Sequence, residues 1–169
     1  MVGVSLERRE AFARLFSQLS PRLYRTALGI LGNPHDAGDA LQEAGLKAFR
    51  YFGTLHEEEA GAAWLTRILI NACYDQGRKR SRLVATGLEL EREEAAAPEH
   101  ETDWELVQAM QQLPEEQRTT VTLRFFQDLT IPQIAHVMGV PDGTVKSRLH
   151  TALQRLRTSL TAKRREGIQ

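Results

Sequence analysis

The most diagnostic stretch of this chain is residues 130–149, with the sequence TIPQIAHVMGVPDGTVKSRL. Thr130 can cap a short helix, and Gly139 can end it because glycine tolerates the positive φ of a tight turn. A second and longer helix follows, with Asp142 or Thr144 as its cap. Two helices joined by a tight glycine turn predict a helix-turn-helix.

The second helix of this motif carries polar and basic residues near its N-terminal end, where a recognition helix meets base edges in the major groove. The alternative is an ordinary helical hairpin with a solvated basic face. DNA binding is favoured because the small Ala135 at the helix crossing, the glycine turn, the caps and the basic face coincide. The candidate duplex-DNA residues are Lys146, Ser147, Arg148, His150 and Thr151.

Composition excludes several classes of protein. The 169 residues suit one ordinary domain or two small ones. No run approaches the roughly 18 apolar residues of a membrane span, and the first ten residues lack the apolar core of a signal peptide. The only cysteine, Cys73, excludes an internal disulfide and a cysteine zinc cluster. A single cysteine fits the reducing cytoplasm, where we expect the protein to act. Since no catalytic motif appears, we expect a protein that is not an enzyme and holds no metal or cofactor.

The net charge of zero hides an uneven distribution. Residues 1–82 carry 12 Lys and Arg against 9 Asp and Glu, a balance of +3. Residues 83–105 carry 1 against 8, a balance of −7, and residues 106–169 carry 9 against 5, a balance of +4. Two mildly basic blocks therefore flank one acidic segment, which fits nucleic-acid binding better than the total charge does.

Apolar spacing predicts an all-α fold. Helices are expected over 7–31, 36–52 and 62–80, with a loop at Gly53–Gly61. Pro21 is expected to break the first of these runs into two helices, because proline lacks the amide that a helix interior needs.

The chain is predicted to form two small helical domains. Residues 83–103 show no helical period and are rich in glutamate, so we expect a flexible acidic linker there. The first domain is then residues 1–82, and the second is residues 104–169, beginning at Trp104 and containing the helix-turn-helix.

Two further patterns lie in the first domain. Residues 64–75, WLTRILINACYD, run into Arg78, Lys79 and Arg80; aromatic faces beside basic residues suit unstacked single-stranded DNA. Trp64 could instead be a core anchor, and the basic run a solvated helix end.

The second pattern is a polar stripe on the second helix. It could dock a basic partner or, for its two aspartates, simply favour a helix N-terminus. The stripe consists of Asp36, Asp39, Gln42 and Glu43.

Together these segments resemble the extracytoplasmic-function (ECF) group of bacterial sigma factors. Three motifs occur in the family's order and cover nearly the whole chain except the linker and both ends. They are LYRTALGILGNPHDAGDALQEAGLKAF at 23–49, AAWLTRILINACYDQGRKR at 62–80, and LPEEQRTTVTLRFFQDLTIPQIAHVMGVPDGTVKSRLHTALQRLR at 113–157.

The resemblance implies a division of labour. Region 2 would bind the β′ clamp helices of RNA polymerase through the polar stripe, with the loop Gly53–Gly61 walling a pocket for a flipped −10 base. Region 4 would recognise the −35 element as duplex and contact the β flap, and an anti-sigma factor would be a further partner. The residues implied for the opened −10 strand are Trp64, Arg67, Asn71, Tyr74, Arg78, Lys79 and Arg80.

Two positions depart from the family pattern. The polymerase-binding helix usually has an acidic residue at position 38 and an aromatic one at position 45, and both are glycine here. Each glycine weakens a helix by about 1 kcal/mol, and the missing ring leaves an apolar contact unmade. Weaker polymerase binding or weaker N-terminal packing is expected.

Two rival classes have similar features. A response regulator or repressor would share the helix-turn-helix, but residues 1–82 lack the alternating strands and the acidic cluster of a receiver domain. An anti-sigma or adaptor protein that binds only proteins would not need Lys146 and Arg148 on a recognition helix.

Overall fold

The computed structural model describes residues 5–53, 61–87 and 101–166, and these ranges form seven α-helices and no strand. The predicted loop residues 54–60 and most of the predicted linker, residues 88–100, lie outside the described residues. The helices are α1 (Leu6–Leu31), α2 (Pro34–Phe52), α3 (Ala62–Ala85), α4 (Glu101–Gln111), α5 (Glu115–Phe126), α6 (Ile131–Met138) and α7 (Asp142–Glu166).

Helices α1 and α2 meet at a tight corner that three consecutive residues produce. Gly32 ends α1 in the left-handed conformation, with φ of 69°. The Asn33 side chain then caps α2 by accepting a hydrogen bond from the Asp36 amide at 3.0 Å, and Pro34 occupies the first turn, where its missing amide costs nothing.

The expectation that Pro21 divides the first helix is wrong, because α1 is continuous from Leu6 to Leu31 with Pro21 inside it. The ring lies on the exposed side of the helix, where water can satisfy the carbonyl that loses its amide donor. Buried residues on both sides of the proline, among them Phe12 and Leu23, hold the two halves in line. Tertiary packing therefore offsets a local cost of about 3 kcal/mol.

Helix α3 is longer than the sequence predicts, since it ends at Ala85 rather than at Arg80. The Thr86 amide bonds back to the Arg82 and Leu83 carbonyls, and Gly87 follows with φ of 73°. A glycine in the left-handed conformation just after a helix is a common stop signal. The first residues of the predicted linker thus belong to α3.

The N-terminal bundle, α1–α3, is built around small and aromatic side chains. Four alanines form one buried stripe along α2, which lets α1 and α3 approach closely. Phe12 lies at the centre of an aromatic cluster, with its ring centroid 5.6 Å from Phe16, 5.4 Å from Phe49 and 5.3 Å from Phe52. Cys73 is buried in this core, as its place on an apolar helix face predicts.

The C-terminal bundle, α4–α7, contains the predicted helix-turn-helix. Thr130 and Gln133 form a reciprocal capping box at the start of α6, and Gly139 ends α6 with φ of 66°. Ile134 on α6 and Val145 on α7 are both fully buried. Asp142 is the first residue of α7, so both Asp142 and Thr144 lie inside its first turn rather than capping it.

The two bundles pack against each other. Helix α1 lies on α5 and α4, and α3 lies on α6, so that the buried apolar side chains of both bundles join. In the parts of the chain that the structure describes, no helix is both long and apolar enough to cross a membrane.

Candidate nucleic-acid and partner interface

The N-terminal end of α7 presents the predicted duplex-DNA residues. Lys146, Ser147 and His150 are exposed, and Thr151 is half-buried. Arg148 differs from them, because its Nη2 donates a hydrogen bond to Glu116 Oε2 at 2.7 Å and only 18% of its side chain is exposed. An exposed carboxylate therefore holds the guanidinium at the edge of the recognition surface.

Three of the seven predicted single-stranded-DNA residues lie on one face of α3. Arg67, Asn71 and Tyr74 follow one another at spacings of four and three residues, so they share a face. Asn71 is exposed and borders a cleft of about 410 Å³, whose opposite wall includes Val137 and Gly139. An aromatic ring, an amide and a guanidinium on one helix face can stack on and hydrogen-bond an unpaired base.

Two members of this face are engaged by the C-terminal bundle. Arg67 donates from Nη2 to the His136 carbonyl at 2.7 Å and from Nε to the Val137 carbonyl at 3.2 Å. Tyr74 donates its hydroxyl hydrogen to Thr119 Oγ1 at 3.1 Å, and burial raises the pKa of Tyr74 above its usual value.

The remaining α3 candidates do not form one surface with this face. Trp64 is half-buried and packs against the hydrophobic core. Arg78 pairs with Asp75, and its hydrogen bond holds the pKa of that carboxyl below the usual value. Lys79 is exposed, whereas Arg80 is partly covered and pairs with Asp36.

The polar stripe of α2 separates into two environments. Asp39, Gln42 and Glu43 are exposed and line a groove of about 370 Å³ between α2 and α3. The Asp36 side chain is only 12% exposed, and it accepts hydrogen bonds from Arg80 and Gln76 of α3. The structure thus presents three of the four stripe residues to a partner, while Asp36 ties the two helices together.

The two unusual glycines of α2 also differ. A side chain at Gly38 would meet no atom within 4 Å. A Cβ at Gly45 would lie 2.9 Å from Cζ of Phe16, because that ring from α1 covers the glycine. Gly45 is therefore covered from within the N-terminal bundle, because Phe16 of α1 makes an apolar contact at this position.

These environments predict opposite responses to alanine. Gly38→Ala should raise the free energy of unfolding by about 1 kcal/mol, because alanine favours the helix and nothing obstructs it. Gly45→Ala gains the same propensity but must displace Phe16, so it should not stabilise the protein. Urea unfolding followed by circular dichroism checks both variants, and equal stabilisation would contradict the close contact at Gly45.

Several functional neighbours could not be recognised in the sequence. Glu116 holds Arg148 from 32 residues away, and Asp36 holds Arg80 from 44 residues away. Gln127 is 3% exposed and bonds to two threonines in the N-terminal bundle. The only local signal is the polar character of Gln127 directly after the apolar end of α5, which does not identify its partners.

Comparison with known families agrees with this arrangement. The family model described as "Sigma-70 region 2" matches residues 15–83, and the model described as "Sigma-70, region 4" matches residues 103–156. Together they include the stripe, the α3 face and the helix-turn-helix. The fold and these surfaces define a transcription initiation factor, and the chain belongs to the sigma-70 family, which is not enzymatic.

Relatives place it more narrowly. It is 34% identical over 139 residues to the RNA polymerase sigma factor SigV of Bacillus subtilis (strain 168), covering 82% of this chain and 84% of that protein. It is 37% identical over 149 residues to the ECF RNA polymerase sigma factor SigM of Mycobacterium tuberculosis, covering 88% and 76%. Within the family the chain is therefore an ECF sigma factor, which binds core RNA polymerase and directs transcription initiation by promoter recognition.

Solved structures share the fold. The sigma factor RpoE from Bartonella quintana, solved in complex with the anti-sigma factor NepR, superposes with a TM-score of 0.74 at 26% identity, covering 90% of this chain and 98% of that one. CnrH, solved with the cytosolic domain of CnrY, superposes with a TM-score of 0.69 at 20% identity, covering 91% of this chain and 90% of that one, which is a likeness of fold alone.

Proposed function

We propose that residues 1–82 bind polymerase and the −10 element, that residues 104–169 bind the −35 element, and that residues 83–103 link them. One observation carries this proposal: the same chain has a polar stripe on α2, exposed at Asp39, Gln42 and Glu43, and a helix-turn-helix with an exposed basic face. A repressor needs only the second surface, and a protein-binding adaptor needs only the first.

The −35 element is recognised as duplex by the start of α7. Lys146, Ser147 and His150 are exposed on the first three turns of α7, and Arg148 and Thr151 lie at the edge of the same surface. Arginine and lysine bind guanine in the major groove and also hold phosphates. The flap of the polymerase β subunit binds elsewhere on the C-terminal bundle.

The opened −10 strand is bound along α3. Asn71 hydrogen-bonds the edge of an unpaired base, Tyr74 and Trp64 supply aromatic surface, and Arg67 bonds to phosphate. Unstacking a base costs a few kcal/mol, which such contacts offset. The exposed Arg78 and Lys79 continue the phosphate path, and Arg80 contributes mainly by orienting Asp36.

The α2 stripe docks the β′ clamp helices of polymerase, and this surface is also where an anti-sigma factor would compete. The solved complex of RpoE with NepR supports an anti-sigma partner for this chain. A protein that works on RNA polymerase and promoter DNA acts in the cytoplasm. The competition is tested with purified proteins, by measuring whether such a partner prevents the chain from binding core polymerase.

Promoter opening tests the −10 assignment. Asn71→Ala should slow open-complex formation about tenfold, because one base-edge contact is worth about 1–3 kcal/mol, and it should leave the affinity for core polymerase unchanged. The matched control is Gln18→Ala, which removes an exposed amide from α1, away from this face. Promoter opening is measured by permanganate footprinting of a promoter from the organism that makes this sigma factor. If the Asn71→Ala variant opens that promoter normally, Asn71 has only a structural role.

A further inference from the structure

The groove between α2 and α3 has a second wall, which the polar stripe does not form. Asp39, Gln42 and Glu43 of the stripe line its α2 side, and Lys79 and Arg82 line its α3 side. Both cations are exposed. The stripe alone therefore describes only half of the surface that a partner would meet in this groove.

This wall is a different face of α3 from the one proposed for the −10 strand. Residues at spacings of three and four share a side of a helix, and those of α3 that line the groove are Ala72, Asp75, Gln76, Lys79 and Arg82. Arg67, Asn71 and Tyr74 border a separate cleft instead. Lys79 lies beside the proposed phosphate path as well as in the groove, whereas Arg82 has no proposed contact with DNA.

The formal charges that line the groove cancel one another. Three carboxylates and three cations line it, namely Asp39, Glu43 and Asp75 against Lys47, Lys79 and Arg82. A partner that carried only positive charge would be attracted by the carboxylates and repelled by the cations of the same groove, so it would gain little. A complementary partner therefore carries both signs of charge.

The three cations differ in how far the protein itself already pairs them. Lys47 Nζ lies 3.4 Å from Glu43 Oε1 and 3.5 Å from Asp75 Oδ2, so it joins the two walls from within. Among the residues that the structure describes, neither Lys79 nor Arg82 makes an ion pair. These two positive charges are therefore available to carboxylates of another molecule.

An exposed apolar side chain lies in the same groove. Leu46 follows Gln42 and Glu43 by four and three residues, so it continues the stripe, and 54% of it is exposed. An apolar contact within a rim of charged groups is the usual composition of a protein interface. The groove therefore fits a protein partner better than a nucleic-acid backbone.

We propose that Lys79 and Arg82 form the second half of the polymerase-docking surface, and that the polymerase segment seated on the stripe carries carboxylates where it meets α3. The inference rests on the proposed docking of polymerase on the α2 stripe. That segment is then basic on the side of α2 and acidic on the side of α3, with an apolar side chain against Leu46. This pattern also fixes the orientation of the segment, since turning it round would place like charges together on both walls.

Arg82→Glu tests the α3 wall, because Arg82 has no proposed contact with DNA. The affinity of the full-length variant for core polymerase, measured without DNA by fluorescence titration, should fall about tenfold. Arg82→Lys keeps the charge and should stay within about threefold of the parent protein. The matched control is Arg9→Glu, which reverses an exposed arginine on α1, outside the groove, and should leave the affinity unchanged. Urea unfolding checks that each variant folds.

Unchanged affinity of Arg82→Glu would overturn the proposal. An equal loss for Arg9→Glu would also overturn it, because the effect would then come from the total charge of the protein. Asp39→Arg in the same titration separates this failure from a failure of the proposed function. A loss for Asp39→Arg alone would leave polymerase on the stripe without the α3 wall, whereas no loss for either variant would remove polymerase from the stripe as well.

Carbodiimide crosslinking of the Arg82→Lys variant bound to core polymerase gives a second readout. The reagent joins a lysine amine to a carboxylate in direct contact, as an amide formed with the loss of one water. Mass spectrometry should find position 82 joined to an aspartate or glutamate of polymerase. The ion pair of Lys47 and Asp75, at 3.5 Å, is the internal positive control for the reagent. A sample in which Lys47 and Asp75 are joined, but position 82 is not joined to polymerase, would overturn the proposal.

Discussion

Asp39→Arg is expected to lower the affinity of this sigma factor for core polymerase at least tenfold. Asp39, Gln42 and Glu43 form the exposed part of the α2 stripe, and reversing a charge there places like charges together in a complementary interface, which costs about 1–3 kcal/mol or more. Because the side chain is exposed, salt should screen the effect. Fluorescence titration of labelled protein with core polymerase at about 0.1 M and 0.5 M salt measures both quantities.

Two variants make this prediction specific. Glu10→Arg reverses an exposed charge on α1, away from the groove, and should leave the affinity unchanged. Asp36→Asn should act differently, because Asp36 bonds to Arg80 inside the N-terminal bundle. This variant should lower the free energy of unfolding, and it should affect polymerase binding only through that loss of stability. Equal affinity of Asp39→Arg and the parent protein would refute docking through the stripe.

Features that a few neighbouring residues produce could be predicted from the sequence. The cap at Thr130 and the left-handed turn at Gly139 both depend on contacts within three or four residues. The same is true of the apolar residues at helical spacing, which predict where the helices lie. These interactions are the same in a short peptide and in the folded chain, so the local sequence contains them.

Features that depend on tertiary packing could not be predicted. Pro21 should end a helix by its local effect, and only the burial of residues on both sides keeps α1 continuous. Gly45 leaves no ring on α2, but Phe16 from α1 packs over it. In both cases a contact made by another element outweighs the local preference.

The candidate surfaces show the same division. Helical spacing accounts for the shared face of Arg67, Asn71 and Tyr74, because residues three and four apart lie on one side of a helix. It could not predict that the end of α6 would bind that face, since Arg67 and His136 are 69 residues apart. Nor could helical spacing distinguish the burial of Asp36 from the exposure of Asp39, since both residues carry the same charge and lie on the same helix.

Arg148→Ala is expected to weaken binding of the holoenzyme to −35 duplex DNA by about 1–3 kcal/mol. If Arg148 contacts a base, the loss should concentrate at one position of the element, whereas a phosphate contact would give the same loss on every sequence. Arg155→Ala, which removes an exposed arginine about two turns further along α7, is the matched control. Affinities measured on a set of single-base variants of the element distinguish these outcomes, and unchanged affinity for all of them would exclude Arg148 from the interface.

The carboxylate of Glu116 makes a second outcome predictable. At 2.7 Å from Arg148 it fixes the direction of the guanidinium, and being 64% exposed it also repels the DNA backbone. Glu116→Gln should therefore raise the affinity for all duplexes, because one negative charge is removed, while discrimination at the Arg148 position falls, because the guanidinium is no longer held in one direction. In the double variant Glu116→Gln and Arg148→Ala, the loss of discrimination should not exceed that of Arg148→Ala alone, since Glu116 acts on specificity only through Arg148. Additive losses of discrimination would mean that Glu116 contacts DNA or another recognition residue by itself.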